Sequence, residues 1–525
     1  MPNYGFAIDV RKCIGCHACT VACKAEHEIP IGVWRCWVKT VEKGTFPETR
    51  RFFLPVLCNQ CEAAPCARIC PTGALFFRPD GIVDLDGDRC IGCRACMAAC
   101  PYSQIFIDPN THTAEKCNFC ANRVDRGLQP ACVVVCPTEC RIFGDLDDPD
   151  SQLSRLLERE ATTVRKPEKG TRPKIWYVEA EESAITPLAA TRPPLYREGE
   201  VGVSLLALAR GNGGGGQREL PPRGPMGQGD ASVPQPQGVA PKVDYDVFHR
   251  MPWGKDVAAY LLTKGISTGA FLVSLLLWRF GSGPEALSLW AGPGLGLAFL
   301  LVTAGILVYD LERPARFLYI LLKPNFSSWL TLGSFCLLGY GGVATLWLAA
   351  VLTGQLAWLD LLLWPAVALA FLSTIYTAFL FAQAEARDLW QGPHTLLHLL
   401  AQAGAAGAGA LLLAGFAVGA SPAAIGTLRG VLGIGVAVHL LVLLAEHCVS
   451  HHPTADGKMA SQLIVRGPFR RLFWGGAVLA GGFLPLLLLL LPGPGPALVA
   501  AAAALAGALC WEVTWVYAGQ AVPLA

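Results

Sequence analysis

The sequence has little charge for its length: Asp, Glu, Lys and Arg make up 16% of its 525 residues, against 53% hydrophobic residues. The formal net charge is only +2, so the chain lacks the basic excess that binds nucleic-acid backbones. Nucleic acid is therefore not an expected partner. The same composition excludes an ordinary soluble enzyme, because so apolar a chain needs a lipid environment for part of its surface.

Cysteine is almost missing from the second half of the chain, and long apolar runs are missing from the first. Of the 21 cysteines, 18 lie between Cys13 and Cys140, whereas apolar residues concentrate after about position 256. This split predicts a small α+β cysteine-rich domain over 1–180 and an all-α membrane domain over 251–525. The Gly- and Pro-rich stretch 181–250 between them predicts a flexible linker.

A cleavable export signal is not expected. Residues 1–10 contain no basic stretch followed by an apolar one. The run Thr-Arg-Arg-Phe-Phe-Leu at 49–54 imitates a twin-arginine signal, but a cysteine motif follows it where an apolar stretch would be needed.

Eight apolar stretches are long enough, at about 20 residues each, to cross a bilayer as helices. They cover 257–279, 286–309, 328–352, 358–383, 394–419, 425–446, 471–491 and 497–518. Lys and Arg concentrate on the face that adjoins the cysteine-rich domain, which predicts that this domain lies on the cytoplasmic face of a bacterial or archaeal inner membrane. In the alternative interpretation, the basic loops serve to dock the cysteine-rich domain.

Sixteen of the cysteines form four regularly spaced motifs. These are Cys13-x2-Cys16-x2-Cys19-x3-Cys23, Cys58-x2-Cys61-x4-Cys66-x3-Cys70, Cys90-x2-Cys93-x2-Cys96-x3-Cys100 and Cys117-x2-Cys120-x11-Cys132-x3-Cys136. Close thiolates followed by a further cysteine that reaches the neighbouring cluster are the ferredoxin pattern for [4Fe–4S] clusters. Sixteen ligands predict four such clusters and hence a domain that conducts electrons.

Two other uses of cysteine fit the spacing poorly. Structural zinc takes two separated pairs rather than triplets with a fourth ligand, and a disulfide framework needs an oxidising compartment. The five remaining cysteines fall outside the spacing and are predicted to be packed thiols. They are Cys36, Cys140, Cys336, Cys448 and Cys510.

Polar residues gather at one end of the membrane domain, on the side of the cysteine-rich domain. Tyr260 and Lys264 lie one turn apart in the first span, and Lys264 is about two turns inside it, where an ionisable group is costly. A quinone head group needs hydrogen-bonding and protonatable groups of this kind beside an apolar slot. We therefore predict a quinone site with a proton route here, with further contributions from the other polar residues of this face. They are Asp310, Arg316, Gln383, Glu385, His394 and Glu446.

Histidine pairs in the spans raise the alternative of a haem. His394 and His398 share one helix face, and His439 and His447 lie on another helix. Haem ligation needs two histidines that face each other at one depth, which few of these pairs could satisfy, so haem is not expected.

Both halves resemble known families. Residues 1–180, with four ferredoxin-type motifs and the run Cys-Pro-Thr-Glu-Cys-Arg-Ile-Phe-Gly-Asp-Leu at 136–146, are similar to the four-cluster subunit of DMSO and polysulfide reductases. Residues 245–525 resemble the eight-helix polysulfide reductase membrane anchor. The motifs that carry this resemblance are Asp-Leu-Glu-Arg-Pro-Ala-Arg-Phe at 310–317, Pro324-Asn325, Tyr376 with Trp390, and Ala-Gly-Gln-Ala-Val-Pro at 518–523.

The resemblance implies how the cysteines divide among clusters and where quinone binds. Its quinone pocket falls here at Tyr260, where relatives have a histidine, and at Tyr376; Lys264 is a further departure. Many relatives place the cluster subunit outside the cytoplasmic membrane, which disagrees with the charge distribution. The implied ligand sets are Cys13, Cys16, Cys19 and Cys136; Cys23, Cys117, Cys120 and Cys132; Cys58, Cys61, Cys66 and Cys100; and Cys70, Cys90, Cys93 and Cys96.

Together with the motifs, the resemblance implies a membrane subunit that relays electrons between a separate molybdopterin-containing catalytic subunit and menaquinone or ubiquinone, with tyrosines 260 and 376 and Lys264 at the quinone. Two alternatives of other classes remain open. One is an ion-translocating module driven by cluster electrons, which would need a charged path to the opposite face; the other is a scaffold with structural metal.

Overall fold

A computed structural model describes residues 2–45, 47–191, 240–281, 283–450 and 452–524. In these residues an α+β domain is followed by eight helices that are long and apolar enough to cross a membrane. This order confirms the predicted fold class. We call the two parts the cysteine domain and the membrane domain.

The cysteine domain is built on short sheets. A four-stranded sheet has the order β8-β1-β10-β9, with β1 parallel to β10 and antiparallel to β8, and a three-stranded antiparallel sheet has the order β11-β2-β3. The pairs β4-β5 and β6-β7 form two further ladders. The strands are β1 Tyr4–Asp9, β2 Cys36–Thr45, β3 Glu48–Leu57, β4 Leu75–Phe77, β5 Val83–Leu85, β6 Phe106–Ile107, β7 Ala114–Glu115, β8 Arg141–Asp145, β9 Thr162–Thr163, β10 Ile175–Val178 and β11 Lys242–Tyr245.

Short helices carry or follow the cysteine motifs. The helix α6 begins after Ser151, whose Oγ accepts a hydrogen bond from the backbone N–H of Ser154, as an N-cap should. The helices are α1 Ala18–Glu26, α2 Pro65–Ile69, α3 Ala95–Ala99, α4 Ala121–Val124, α5 Ala131–Val134, α6 Gln152–Arg159 and α7 Glu182–Ile185.

Both ends of the predicted 181–250 linker belong to the cysteine domain in the structure. The helix α7 packs on β2 and β3, and β11 pairs with β2. Val243 and Val247 are 4% exposed, and the indole of Trp37 donates to Asp246 at 2.9 Å. Burial of these side chains corrects the predicted linker boundaries, and residues 192–239 lie outside the described residues.

Each predicted span coincides with one helix, and the ends agree within three residues. A short helix, Tyr319–Leu322, precedes the third span, and another, Ala455–Val465, precedes the seventh. The spans are Lys255–Phe280, Leu287–Tyr309, Trp329–Leu352, Ala357–Ala382, His394–Val418, Pro422–Val449, Arg471–Leu489 and Pro494–Ala521, numbered first to eighth below.

The first span lies at the centre of the membrane domain, where it packs against the second, fourth, fifth and eighth spans. Its crossing with the fifth span is very close. A Cβ added to Gly407 would strike the backbone of Gly269, and one added to Gly269 would strike the carbonyl oxygen of Ala403. Backbone contact of this kind is how helices associate in lipid, where apolar burial offers no driving force.

Replacement of Gly407 by alanine is therefore expected to destabilise the membrane domain by about 1–3 kcal/mol, the usual cost of overpacking a core. The matched control is Gly404→Ala on the same helix, where a Cβ meets no atom of the described residues within 4 Å. Thermal unfolding in detergent measures both variants. Equal stability of the two would contradict the close crossing.

Candidate functional site

Three of the four implied cysteine sets each line one small cavity. The first set, the second set and the fourth set enclose separate spaces, and in the third set Cys58, Cys61 and Cys100 interact electrostatically with Cys66. The first set is Cys13, Cys16, Cys19 and Cys136; the second is Cys23, Cys117, Cys120 and Cys132; the third is Cys58, Cys61, Cys66 and Cys100; the fourth is Cys70, Cys90, Cys93 and Cys96.

The repeat Cys-Ile-Gly-Cys at 13–16 and 90–93 gives the same turn twice. Gly15 and Gly92 have φ values of +70° and +71°, and the residues two positions later, His17 and Arg94, have 59° and 60°. A left-handed glycine turns the chain so that successive thiols converge, and α1 and α3 then carry the third cysteine of each motif. The repeat is therefore a structural unit as well as a sequence motif.

The donor sets fit [4Fe–4S] clusters. Four thiols line each of the three cavities, as in the usual all-cysteine ligation. His17 also lines the first of them and His27 the second, where its Nε2 is 3.1 Å from the thiol of Cys120. Burial raises the pKa values of the thiols of Cys66 and Cys96, so these sites bind iron only by releasing protons.

Two of the cysteines predicted to be packed thiols lie beside predicted cluster ligands. The Cys140 thiol is 3.5 Å from that of Cys136. A hydrogen bond from Cys36 lowers the pKa of the Cys19 thiol, and Cys36 also lines the cavity of the second set. Motif spacing could not find these neighbours, because β2 and β8 bring them in from other parts of the chain.

The fourth set lies directly on the membrane domain. Trp253 donates from its indole to the carbonyl of Cys93 at 3.4 Å, and Asn325 donates to that of Cys70 at 2.8 Å. Ile69 and Ala95 share one apolar core with residues of the first and fourth spans. The fourth cysteine set is thus held against the membrane domain.

Several residues predicted to bind quinone contact the cysteine domain, and their role at quinone stays a prediction. Asp310 forms an ion pair with Arg94, and burial raises the pKa of its carboxyl group. Arg316 donates to the carbonyl of Gly87 at 2.7 Å, and Glu385 pairs with Arg68 at 2.5 Å. A docked domain and a quinone site both require polar groups at this face, so sequence position alone could not separate the two roles.

Gln383 bonds the loop before the third span. Its side-chain amide donates to the carbonyl of Ser327 at 2.7 Å, and its oxygen accepts from the backbone N–H of Trp329 at 2.8 Å. Gln383 therefore holds the loop before the third span, next to the residues that contact the cysteine domain.

Tyr260, Lys264 and Tyr376 come together in the membrane domain. The hydroxyls of Tyr260 and Tyr376 are 2.9 Å apart, and Tyr260 is also 2.9 Å from the hydroxyl of Thr377. The Lys264 ammonium donates to Thr377 and, at 2.9 Å, to the carbonyl of Thr374, and it lies 4.9 Å from the centre of the Tyr376 ring. All three predicted residues are buried, at 1–4% exposure. We call them the tyrosine–lysine cluster.

Two threonines, which sequence reasoning missed, and the carboxylate of Glu512 complete this cluster. Glu512 of the eighth span interacts electrostatically with Lys264 and accepts a hydrogen bond from Gln402. A lysine nine residues into an apolar helix is itself a signal that a partner must be near, but spacing within one helix cannot say which helix supplies it.

Glu446 belongs to a second polar group, which we call the histidine cluster. Its carboxylate is 2.8 Å from Nε2 of His398, and both residues are 4% exposed. The His398 ring packs at 5.3 Å on those of His439 and Trp511, and His447 packs at 5.4 Å on Trp511. These imidazoles therefore pack against one another and a tryptophan. His394 is half-buried at the start of the same helix and interacts with the Glu446 carboxylate.

Comparison with known proteins agrees with the predicted resemblance of both the cysteine domain and the membrane domain. Residues 245–524 match the family described as polysulphide reductase, NrfD, and residues 49–146 match the 4Fe-4S dicluster domain. A tetrathionate reductase subunit of Salmonella typhimurium is 44% identical over 201 residues, which are 37% of this chain and 80% of that protein. A polysulfide reductase chain of Wolinella succinogenes is 42% identical over 186 residues, 35% of this chain and 97% of that protein.

A third relative is the iron-sulfur subunit of an arsenate respiratory reductase from a Shewanella species, 36% identical over 225 residues, which are 34% of this chain and 96% of that protein. The chain thus belongs to the NrfD polysulphide reductase family and carries, on the same polypeptide, a 4Fe-4S domain of the kind found in the iron–sulfur subunits of reductases.

Proposed function

We propose that this chain relays electrons between a molybdopterin-containing catalytic subunit and a membrane quinone, menaquinone or ubiquinone, through four [4Fe–4S] clusters. The observation that carries the proposal is the shared apolar core: α3, which bears Cys96 of the fourth set, packs in one core with Tyr260 and Tyr376. A cluster held by the fourth set would therefore lie close to the tyrosine–lysine cluster, where quinone is expected to bind.

The clusters supply one-electron transfer and nothing else, since each is fully ligated by cysteine. The protein's own task is to bind the quinone head and to move protons. Lys264 is a donor suited to one quinone oxygen, and the hydroxyls of Tyr260 and Tyr376 are suited to orient it. Burial of all three keeps water away from the reacting oxygens.

The catalytic partner is proposed to dock at the end of the cysteine domain that bears the first set. Cys16 of this set is exposed, which is unusual among the ligands. Around it Ile14, Val21 and Val134 are 59%, 65% and 64% exposed, and α1 and α5, which carry the two valines, pack side by side. An apolar surface around an exposed ligand suits a partner that passes electrons directly to a cluster.

We also propose that the cysteine domain faces the cytoplasm of a bacterial or archaeal cell. The support is the excess of Lys and Arg on its side of the membrane domain. Arg313 and Arg316 contribute to that excess and also donate to carbonyls of the cysteine domain at 2.8 and 2.7 Å. The connection before the seventh span adds Lys458, Arg466, Arg470 and Arg471.

The proposal is tested on the full chain purified with the proteins that accompany it. Four clusters require about 16 irons and as many acid-labile sulfides per chain. Dithionite should produce EPR signals of reduced [4Fe–4S] clusters, and a quinol analogue should reoxidise or reduce them. A chain with zinc in place of iron, or with clusters that do not respond to any quinone or quinol analogue, would contradict the proposal.

A further inference from the structure

Arg141 is a buried cation with no acidic partner among the described residues. It is the first residue of β8, opposite Ile8 of β1, and is only 2% exposed. In the part of the chain that the structure describes it forms no ion pair within 4.0 Å, and its Nε and Nη1 make no hydrogen bond. A buried charge that lacks compensation costs several kcal/mol, so something must balance it.

The groups around Arg141 include sulfur atoms of two different ligand sets and of the non-ligand cysteines Cys36 and Cys140. Its Nη2 donates to the thiol of Cys36 at 3.1 Å. The thiols of Cys19, from the first set, and Cys132, from the second set, lie next to the same guanidinium. Arg141 also lines the cavity of the first set, and its guanidinium carbon is 5.9 Å from the centre of the Phe6 ring.

Two clusters in these sets would supply the missing negative charge. Four thiolates give each cluster a net negative charge that increases by one on reduction. A fixed cation in a low-dielectric interior stabilises the more negative form more strongly, and it therefore raises the reduction potential. The unpaired N–H groups of Arg141 can donate hydrogen bonds to cluster sulfur, and such hydrogen bonds also raise the reduction potential.

We propose that Arg141 is the shared counter-cation of the clusters in the first and second sets. Its positive charge raises the reduction potentials of both clusters. Cys36 holds its guanidinium between them. This inference rests on the proposed ligand sets but not on the quinone site. Its consequence is that one side chain sets the reduction potentials of both clusters nearest the surface where the catalytic partner is proposed to dock.

The experiment is an EPR-monitored redox titration of the full-length complex with Arg141→Met and Arg141→Lys. In Arg141→Met we expect two of the four clusters to become harder to reduce by at least tenfold, which is about 59 mV for a one-electron couple. The other two should keep their potentials. Arg141→Lys should retain most of the wild-type values, since it keeps the charge.

The matched control is Arg165→Met. Arg165 is equally buried, at 1% exposure, but lies beside Cys100 of the third set, so any shift it causes should affect a different cluster. Four clusters with unchanged potentials in Arg141→Met would overturn the inference. If Arg141→Met binds less iron, the result for Arg141→Lys decides. Intact clusters with wild-type reduction potentials in Arg141→Lys would support the role of the positive charge, and lowered reduction potentials would overturn the inference. Fewer than four clusters in the unsubstituted chain would instead overturn the proposed function.

Discussion

Replacement of Lys264 by methionine is expected to slow electron transfer from quinol by at least about a hundredfold, the lower range of what a positioned acid or base contributes. Lys264 is 1% exposed and donates to Thr374 and Thr377 beside the Tyr376 ring, so no water could take its place without rearrangement of the first and fourth spans. Methionine keeps the length and apolar stem while it removes the donor and the charge.

The measurement is quinol-analogue oxidation with an artificial acceptor, compared with reduction of the clusters by a reduced dye that bypasses the quinone. We expect only the first rate to fall. Tyr376→Phe should lower it less, because the ring remains and one hydroxyl is lost. The matched control is Tyr340→Phe, since Tyr340 is equally buried but donates to the carbonyl of Ser267 in another part of the first span.

Normal quinol oxidation in both Lys264→Met and Tyr376→Phe would place the quinone elsewhere. A cavity of about 340 Å³ between the cysteine domain and the segment before the first span would then be the next candidate. It is lined by Trp34, Trp37, Phe248 and Arg250 among others, and substitution of Arg250 would test it.

Much of the architecture is predictable from the sequence because lipid and iron impose strict local rules. A span must be apolar for about 20 residues, and all eight predicted spans agree with the helices within three residues at their ends. Cluster ligands must be close in sequence to wrap one corner of a cube, so triplet spacing locates them. Lys264 is predictable for the same reason: an ionisable side chain that deep in an apolar helix is costly without a function.

What the sequence could not predict depends on contacts between distant segments. The contacts that Asp310, Arg316 and Glu385 make with the cysteine domain are one example, because their positions in the sequence predict only a polar face. Cys36 and Arg141 lie between two ligand sets only because β2 and β8 pass there. No periodicity or motif in a single segment carries that information.

The fusion itself has a physical consequence for the electron path. Loops of the fourth set contact the membrane domain through Asn325 and Trp253, and β11 continues towards the first span after pairing with β2. The distance between an iron–sulfur cluster held by the fourth set and the tyrosine–lysine cluster is therefore set within one chain. Assembly of two separate subunits is not needed to fix it.

Reaction at a quinone would also need a proton path, and we propose that the histidine cluster provides one towards the side of the cysteine domain. Glu512 interacts with Lys264 and with Gln402, and His398 lies one turn from Gln402 on the fifth span. From His398 the path continues to Glu446 at 2.8 Å. His447, the residue after Glu446, is 3.2 Å from Ser461 of the short helix Ala455–Val465 outside the spans.

Glu446→Gln is accordingly expected to slow quinol turnover by at least about tenfold while cluster reduction by dye and cluster potentials stay unchanged, since only proton transfer is impaired. The matched control is Glu285→Gln, which removes a carboxylate between the first and second spans, where it accepts a hydrogen bond from the backbone N–H of Ser421 at 3.4 Å. In sealed vesicles, protons released during quinol oxidation should appear on the side of the cysteine domain. Protons on the opposite side would favour the ion-translocating alternative, and full turnover in Glu446→Gln would exclude the histidine cluster from the path.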